Sequence, residues 1–156
     1  MAPVLKYQRM TQLIRQATTK DADQIRQVIR RAYASWTDRL ADLPDVSAGV
    51  MDEIDAEQMH VLELKGSVAG VLNVAPYHDA FHIMNIAVDP RSGGKGVGKA
   101  LLAHAETLAK SAGLKRLALA THKDMGGNVS MYEHLGWHVS GTEDNKVLMQ
   151  RKLDPD

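Results

Sequence analysis

The order of apolar periodicities along this 156-residue chain predicts an α/β fold of the α+β, mixed-sheet kind, with helices covering the sheet. Three observations carry it. An amphipathic helix pattern lies near the N-terminal end, three apolar runs of strand length fill the middle, and a glycine-rich turn sits where the last run stops and a second helix begins. Hydrophobic residues make up 44% of the chain, enough for a core without metals or crosslinks. The expectation is a leader over 1–12 and one domain over 13–156.

Residues 13–17 alternate as a strand does, and Thr19 or Asp21 then offers a side-chain oxygen to cap a helix. Ile25, Val28, Ile29, Ala32, Tyr33 and Trp36 follow at the spacing of one buried stripe, with Arg26, Gln27, Arg30 and Arg31 opposite. This helix should end near Leu40, ahead of Pro44. Val50 and Ile54 suggest a short second helix. Residues 59–64 and 68–75 read as a hairpin turned at Lys65, Gly66 and Ser67, and 81–88 as a third strand stopped by Asp89 and Pro90. From Val97, the positions of Ala100, Leu101, Ala105, Leu108 and Ala109 mark a helix with Gly113 as its left-handed cap. Residues 117–120 form a buried strand and 128–135 a short helix closed by Gly136. Two last strands, 137–140 and 147–153, flank a polar turn at 143–146. The order is β-α-α-β-β-β-α-β-α-β-β.

Composition narrows the partners. Nineteen basic and nineteen acidic residues cancel, so no global field draws the chain to nucleic acid or an anionic membrane. The absence of cysteine excludes disulfides, cysteine-ligated zinc and a cysteinyl acyl-enzyme. Lys6 and Arg9 interrupt the N-terminal segment, which lacks the apolar run of a signal peptide, and cytoplasm is the expected location.

Gly93, Gly94, Lys95, Gly96, Val97 and Gly98 span the junction of a strand and a helix, where unpaired N–H groups and the positive end of the helix dipole converge. Such a junction attracts phosphate, and Lys95 and Lys99 can add charge at its rim. The plain alternative is a capped surface loop. The triphosphatase phosphate loop is nearly spelled by Gly93, Gly98 and Lys99, but Ala100 stands where the magnesium-ligating Ser or Thr belongs. The dinucleotide fingerprint fails as well, because Lys99 replaces its third glycine.

From Ile86, the run Ile-Ala-Val-Asp-Pro-Arg-Ser-Gly-Gly-Lys-Gly-Val-Gly-Lys-Ala-Leu-Leu resembles the acetyl-CoA signature of the GNAT superfamily of N-acetyltransferases. The likeness takes in the 14–23 strand and cap, Arg31-Ala32-Tyr33, Gly70, Gly113 and the 128–137 segment, so it spans about 13–153. One departure is Gly93, where the family usually has arginine or glutamine; Arg91, two residues upstream, could supply that contact. The resemblance implies acetyl-CoA as cosubstrate, its pyrophosphate on the 93–98 loop. It also implies a pantetheine arm in a gap between 81–88 and 117–120, paired with the main chain around Ile86, Ala87 and Val88. A backbone N–H near Ile86 would meet the developing oxygen charge. Many relatives are homodimers, so a homodimer is possible.

Acetyl transfer needs a neutral amine, and a lysine-like amine of pKa near 10.4 is neutral to only a few parts in ~10⁴ at pH 7. A base should help. His82 falls where histone acetyltransferases of the superfamily place a glutamate base, and histidine titrates in the useful range. A structural histidine is the competing reading. Tyr132 matches the family tyrosine that protonates the departing thiolate, against the alternative of a core tyrosine. Asn128 either caps its helix or bonds the cofactor arm. By the resemblance Tyr33, Trp36 and Asp38 border the acceptor cleft, where Asn85 and His122 are also placed, with Met125 nearby; Tyr33 and Trp36 equally extend the apolar stripe of their helix. His78 and His82 would share a face only in a helix, and no metal site is expected. The expected reaction is direct transfer in a ternary complex to a small-molecule or peptide amine. A non-catalytic acetyl-CoA-binding module and a phosphate-loop nucleotidase are the alternatives.

Overall fold

The computed structural model describes residues 12–37, 39–41, 45 and 47–154. The expected leader up to its last residue, Asp38 and Pro44 lie outside the described residues. Strands β1 (Gln12–Gln16), β2 (Met59–Leu64), β3 (Ser67–Tyr77), β4 (Ala80–Val88), β5 (Arg116–His122), β6 (His138–Glu143) and β7 (Lys146–Lys152) form one sheet in the order β1-β2-β3-β4-β5-β7-β6. Every neighbouring pair is antiparallel except β4 and β5. The helices are α1 (Ala22–Thr37), α2 (Val50–Asp55), α3 (Val97–Ser111) and α4 (Gly126–His134). No helix among the described residues is long and apolar enough to cross a membrane.

Two cores form because each strand alternates its side chains between the two faces of the sheet. On one face Ile25, Val28 and Ile29 of α1 pack with Val61, Val71 and Ala87. On the other, Val97, Leu101, Ala105 and Ala109 of α3 pack with Leu62, Leu72, Ile83 and Leu119, and Tyr132 and Trp137 join them. Both helices show the periodic stripe that the sequence displays.

Several local expectations are corrected. A 3₁₀ turn, Thr19–Asp21, precedes α1, and the Asp21 carboxylate accepts the Thr18 N–H at 2.7 Å and both Arg15 NH groups at 2.8 Å. It closes the turn rather than capping α1. Helix α4 starts at Gly126 after Met125, so Asn128 lies inside its first turn and is not its cap. Trp137 sits ahead of β6, buried, with its ring edge-on to Tyr132 at 5.5 Å between centroids. The strands after the hairpin run longer than their apolar cores because pairing continues through polar residues such as Arg116 and Lys146.

Two features position the site. In the β3–β4 register Asn73 faces Asn85 and Val74 faces Ile83, which leaves Met84 as an extra residue. That bulge bends β4 away from β5. Gly70 is the second: a Cβ there would lie 2.6 Å from Val97 Cγ1 and 2.9 Å from Leu101 Cδ1. Only glycine lets the first turn of α3 settle this closely on β3.

Candidate active site

β4 and β5 pair over three positions only, Phe81 with Leu117, His82 with Ala118 and Ile83 with Leu119. Beyond them β4 continues to Val88 against β3 and β5 continues to His122 against β7, so the facing edges of the two strands separate. Main-chain groups along those edges lose their sheet partners in a V-shaped gap. An extended amide-bearing chain can satisfy them.

The gap opens into a cleft of about 630 Å³. Tyr33, His82, Asn85, Ile86, His122, Asn128 and Tyr132 all line it, so seven residues expected from the sequence meet in one place. Ala87 and Val88 do not add side chains to it, since Ala87 is buried under α1 and Val88 packs toward α3. Their contribution is confined to main chain. Trp36 is also corrected: it is not among the lining residues, and its ring instead carries the Arg39 guanidinium 5.1 Å from its centroid. Trp36 falls on the last turn of α1.

At the open end of the gap, beyond Val88, stands the glycine loop. Asp89 caps a 3₁₀ turn, Pro90–Ser92, through the Arg91 N–H at 3.0 Å, and Gly94 and Gly96 then take φ of +79° and +75°. Among the described residues, the N–H groups from Gly94 to Lys99 make no backbone hydrogen bond; the next, that of Ala100, returns to the Gly96 carbonyl at 3.0 Å. Nothing lies within 4 Å of the space a Cβ would take at Gly94 or Gly96. The loop is therefore uncrowded at both left-handed glycines, and its free donors at a helix start are what an anion site requires. Lys95 and Lys99 are exposed beside it. Arg91 is turned elsewhere: its guanidinium bonds Asp89 at 2.9 and 3.2 Å, while Arg31 of α1 reaches the same carboxylate at 3.0 Å. Hydrogen bonds from Arg91 above all hold the buried Asp89 carboxyl down at about 2. This buried acid ties α1 to the loop.

Tyr132 is buried, and burial first, then the neighbouring Tyr33, pushes its hydroxyl up to about 12. It therefore reaches the cleft protonated at any physiological pH. Tyr33, itself raised by burial, donates to Asn85 Oδ1 at 2.9 Å. His82 stands edge-on to Tyr77 at 5.4 Å; burial, then Arg116 and His78, lower its pKa below the ordinary 6.5, so it is neutral at pH 7. Asn128 donates to Thr121 Oγ1 at 3.1 Å and anchors α4 to the end of β5. His122 Nδ1 accepts the Asp124 N–H at 3.1 Å, which leaves its ring proton on Nε2 when the ring is neutral.

Sequence reasoning passed over Lys146, Asn145, Gln150 and Ser140, which line the cleft from β6, β7 and their turn. It also missed Asn73, whose Nδ2 donates to Glu53 Oε2 and whose Oδ1 is buried without a partner among the described residues. Burial raises the Glu53 carboxyl above its ordinary value. A signal for Asn73 was present, since it is the one polar side chain inside the apolar run 68–75.

The family model of the GNAT acetyltransferases matches residues 22–137, which includes the gap, the loop and Tyr132. The chain belongs to the GNAT acetyltransferase family. A relative of this GNAT protein is an uncharacterised N-acetyltransferase of Escherichia coli K12, YjgM, 28% identical over 158 residues that cover 90% of this chain and 95% of YjgM. Among solved structures, the PaiA N-acetyltransferase of Thermoplasma acidophilum in complex with coenzyme A matches with a TM-score of 0.78 at 20% identity, over 92% of this chain and 99% of that one. The N-acetylglutamate synthase of Neisseria gonorrhoeae, complexed with coenzyme A and L-arginine, matches with a TM-score of 0.73 at 22% identity, over 93% of this chain and 34% of that one. At these identities the two structures share the fold of this GNAT domain.

Proposed function

We propose that this protein transfers the acetyl group of acetyl-CoA to a primary amine, directly, with both substrates bound together. The observation that supports the reading best is the parting of β4 from β5 beside a loop with free donors, with Tyr132 in the wall between them. Neighbours of the same fold that bind coenzyme A agree with it.

In this reading the free N–H groups of Gly94 to Gly98 hold the pyrophosphate, with Lys95 and Lys99 adding charge and Arg91 left to brace Asp89, while the Gly93 N–H stays bonded to the Pro90 carbonyl at 3.2 Å. The main chain of Ile86, Ala87 and Val88 pairs with the pantetheine arm, and Asn128 stations α4 beside it. Acetyl-CoA supplies the activated carbonyl carbon. A backbone N–H near Ile86 faces the carbonyl oxygen as charge grows there. His82, neutral at pH 7, accepts the amine proton, directly or through one water. Tyr132 gives its hydroxyl proton to the departing sulfur. Tyr33 and Asn85 orient the acceptor, and His122 borders it.

Thiol release from acetyl-CoA against a panel of amines tests the assignment. Tyr132→Phe should lower turnover by about 10²-fold and leave coenzyme A affinity nearly unchanged, the mark of a proton donor. Equal turnover in that variant removes Tyr132 from the mechanism. Calorimetry that detects no coenzyme A binding rejects the transferase reading as a whole.

A further inference from the structure

The acceptor side of the cleft has a sign. Among the described residues that line it there is no aspartate or glutamate, whereas Lys146 brings a positive charge. Alternation along β5 and β7 places Arg116, Ala118, Ala120 and His122, with their partners Lys152, Gln150, Leu148 and Lys146, on one face of the sheet. Gln150 also lines a second cavity of about 420 Å³ on that face, bordered by Lys115, Arg116, His138 and Lys152. Its one acid, Asp79, is held by Arg116. The acids flanking Lys146 and His122 are Glu143, opposite Lys146 in the β6–β7 hairpin, Asp144 in the turn of that hairpin, and Asp124, 4.0 Å from His122 Nδ1. All three are exposed and none lines the cleft. No ion pair engages Lys146 among the described residues. Arg116 and His78 also help lower the pKa of His82, in keeping with a positive local potential.

A di- or polyamine presents a second ammonium that the lining leaves without a counter-charge and sets against Lys146. An amine that carries a carboxylate meets the opposite situation, since the ammonium of Lys146 offers charge-assisted hydrogen bonds. Resting on the acetyl-transfer reading given above, we propose that the acceptor is an amino acid whose own carboxylate is received by Lys146, and that Lys146 sets this preference.

The test compares matched acceptors on the full chain by thiol release: free L-amino acids, the corresponding amino-acid amides, and linear di- and polyamines. The best amino acid should exceed its amide, and every polyamine, at least tenfold in kcat/KM. Lys146→Glu should cut that preference at least tenfold and move it toward the diamines, and raising the salt concentration should weaken the wild-type preference. Amides or polyamines used as well as the acids overturn this inference and leave acetyl transfer standing. A Lys146→Glu protein that keeps the full preference overturns the role of Lys146. Coenzyme A binding without turnover of any acceptor, or no coenzyme A binding at all, overturns the acetyl-transfer reading beneath it.

Discussion

The two ends of the cleft are built from different material. At the loop end the proposed anion site is made of main chain: free N–H groups, two left-handed glycines and a helix held close by Gly70. At the acceptor end the wall is made of side chains drawn from α1, β4, β5 and β7, and their meeting depends on register and on the bulge at Met84. Main-chain sites impose residue types on the sequence, because only glycine tolerates the conformation or the contact. Side-chain walls leave residue types free and constrain only their positions in space.

Gly70→Val tests the loop end with the largest expected effect. The added Cβ collides with Val97 and Leu101, so α3 must shift, at a cost of about 1–3 kcal/mol in stability. Because the first turn of α3 is part of the proposed anion site, coenzyme A affinity should fall by at least about tenfold more than a stability loss alone explains. Thermal denaturation and calorimetry report the two quantities separately. A destabilised variant with full affinity would uncouple the Gly70 contact from binding.

His82→Ala tests the acceptor end. Since burial and nearby cations lower its pKa, His82 protonates only below 6.5, and kcat/KM in the wild type should rise with pH there and level off by neutrality. The variant should lose that acidic limb and about tenfold or more of kcat/KM at pH 7, with coenzyme A affinity unaffected. A limb that persists without His82 assigns the base elsewhere, with Glu53 behind Asn73 the next group to examine.

Asp89 joins the two ends through Arg31 and Arg91. Its folded pKa, about 2, lies below the ordinary 3.8, so its stabilisation is present above about pH 4 and is lost as pH falls toward 2. Both arginines are partly exposed, so solvent screening reduces the effect to about 1–2 kcal/mol. Asp89→Asn should lower stability by that amount at pH 7 and by much less at pH 2, which denaturant titrations at the two pH values can measure.

Legibility followed the same division. The strand and helix order could be read because each element has a buried face, and the loop because four glycines and a helix start coincide at 93–98. Tyr132 and Asn128 were recognised through the family resemblance, and of the two roles offered for Asn128, helix cap or partner of the cofactor arm, the cap falls because Met125 precedes the helix. Trp36 was placed at the cleft by the resemblance alone, and its ring carries Arg39 instead. Lys146 and Gln150 carried no local signal: their place in the cleft follows from pairing with His122 and Ala118, far from them in sequence.

Gly98→Ala is the smallest change and separates the protein's own needs from those of its ligand. A Cβ there meets only Val88 Cγ2, at 3.5 Å, which is ordinary contact, and no left-handed φ forbids it. In the first turn of α3 alanine is the better helix former, so the free protein should gain up to about 0.5–1 kcal/mol. If the loop holds a pyrophosphate, the same methyl group intrudes where the anion must approach the backbone, and coenzyme A affinity should drop. A more stable protein that binds coenzyme A less well is the expected outcome, read by thermal denaturation and calorimetry on one sample. If stability and affinity rise together, the ligand does not approach the backbone at Gly98, and the anion must be held by the N–H groups of Gly94 to Val97 instead.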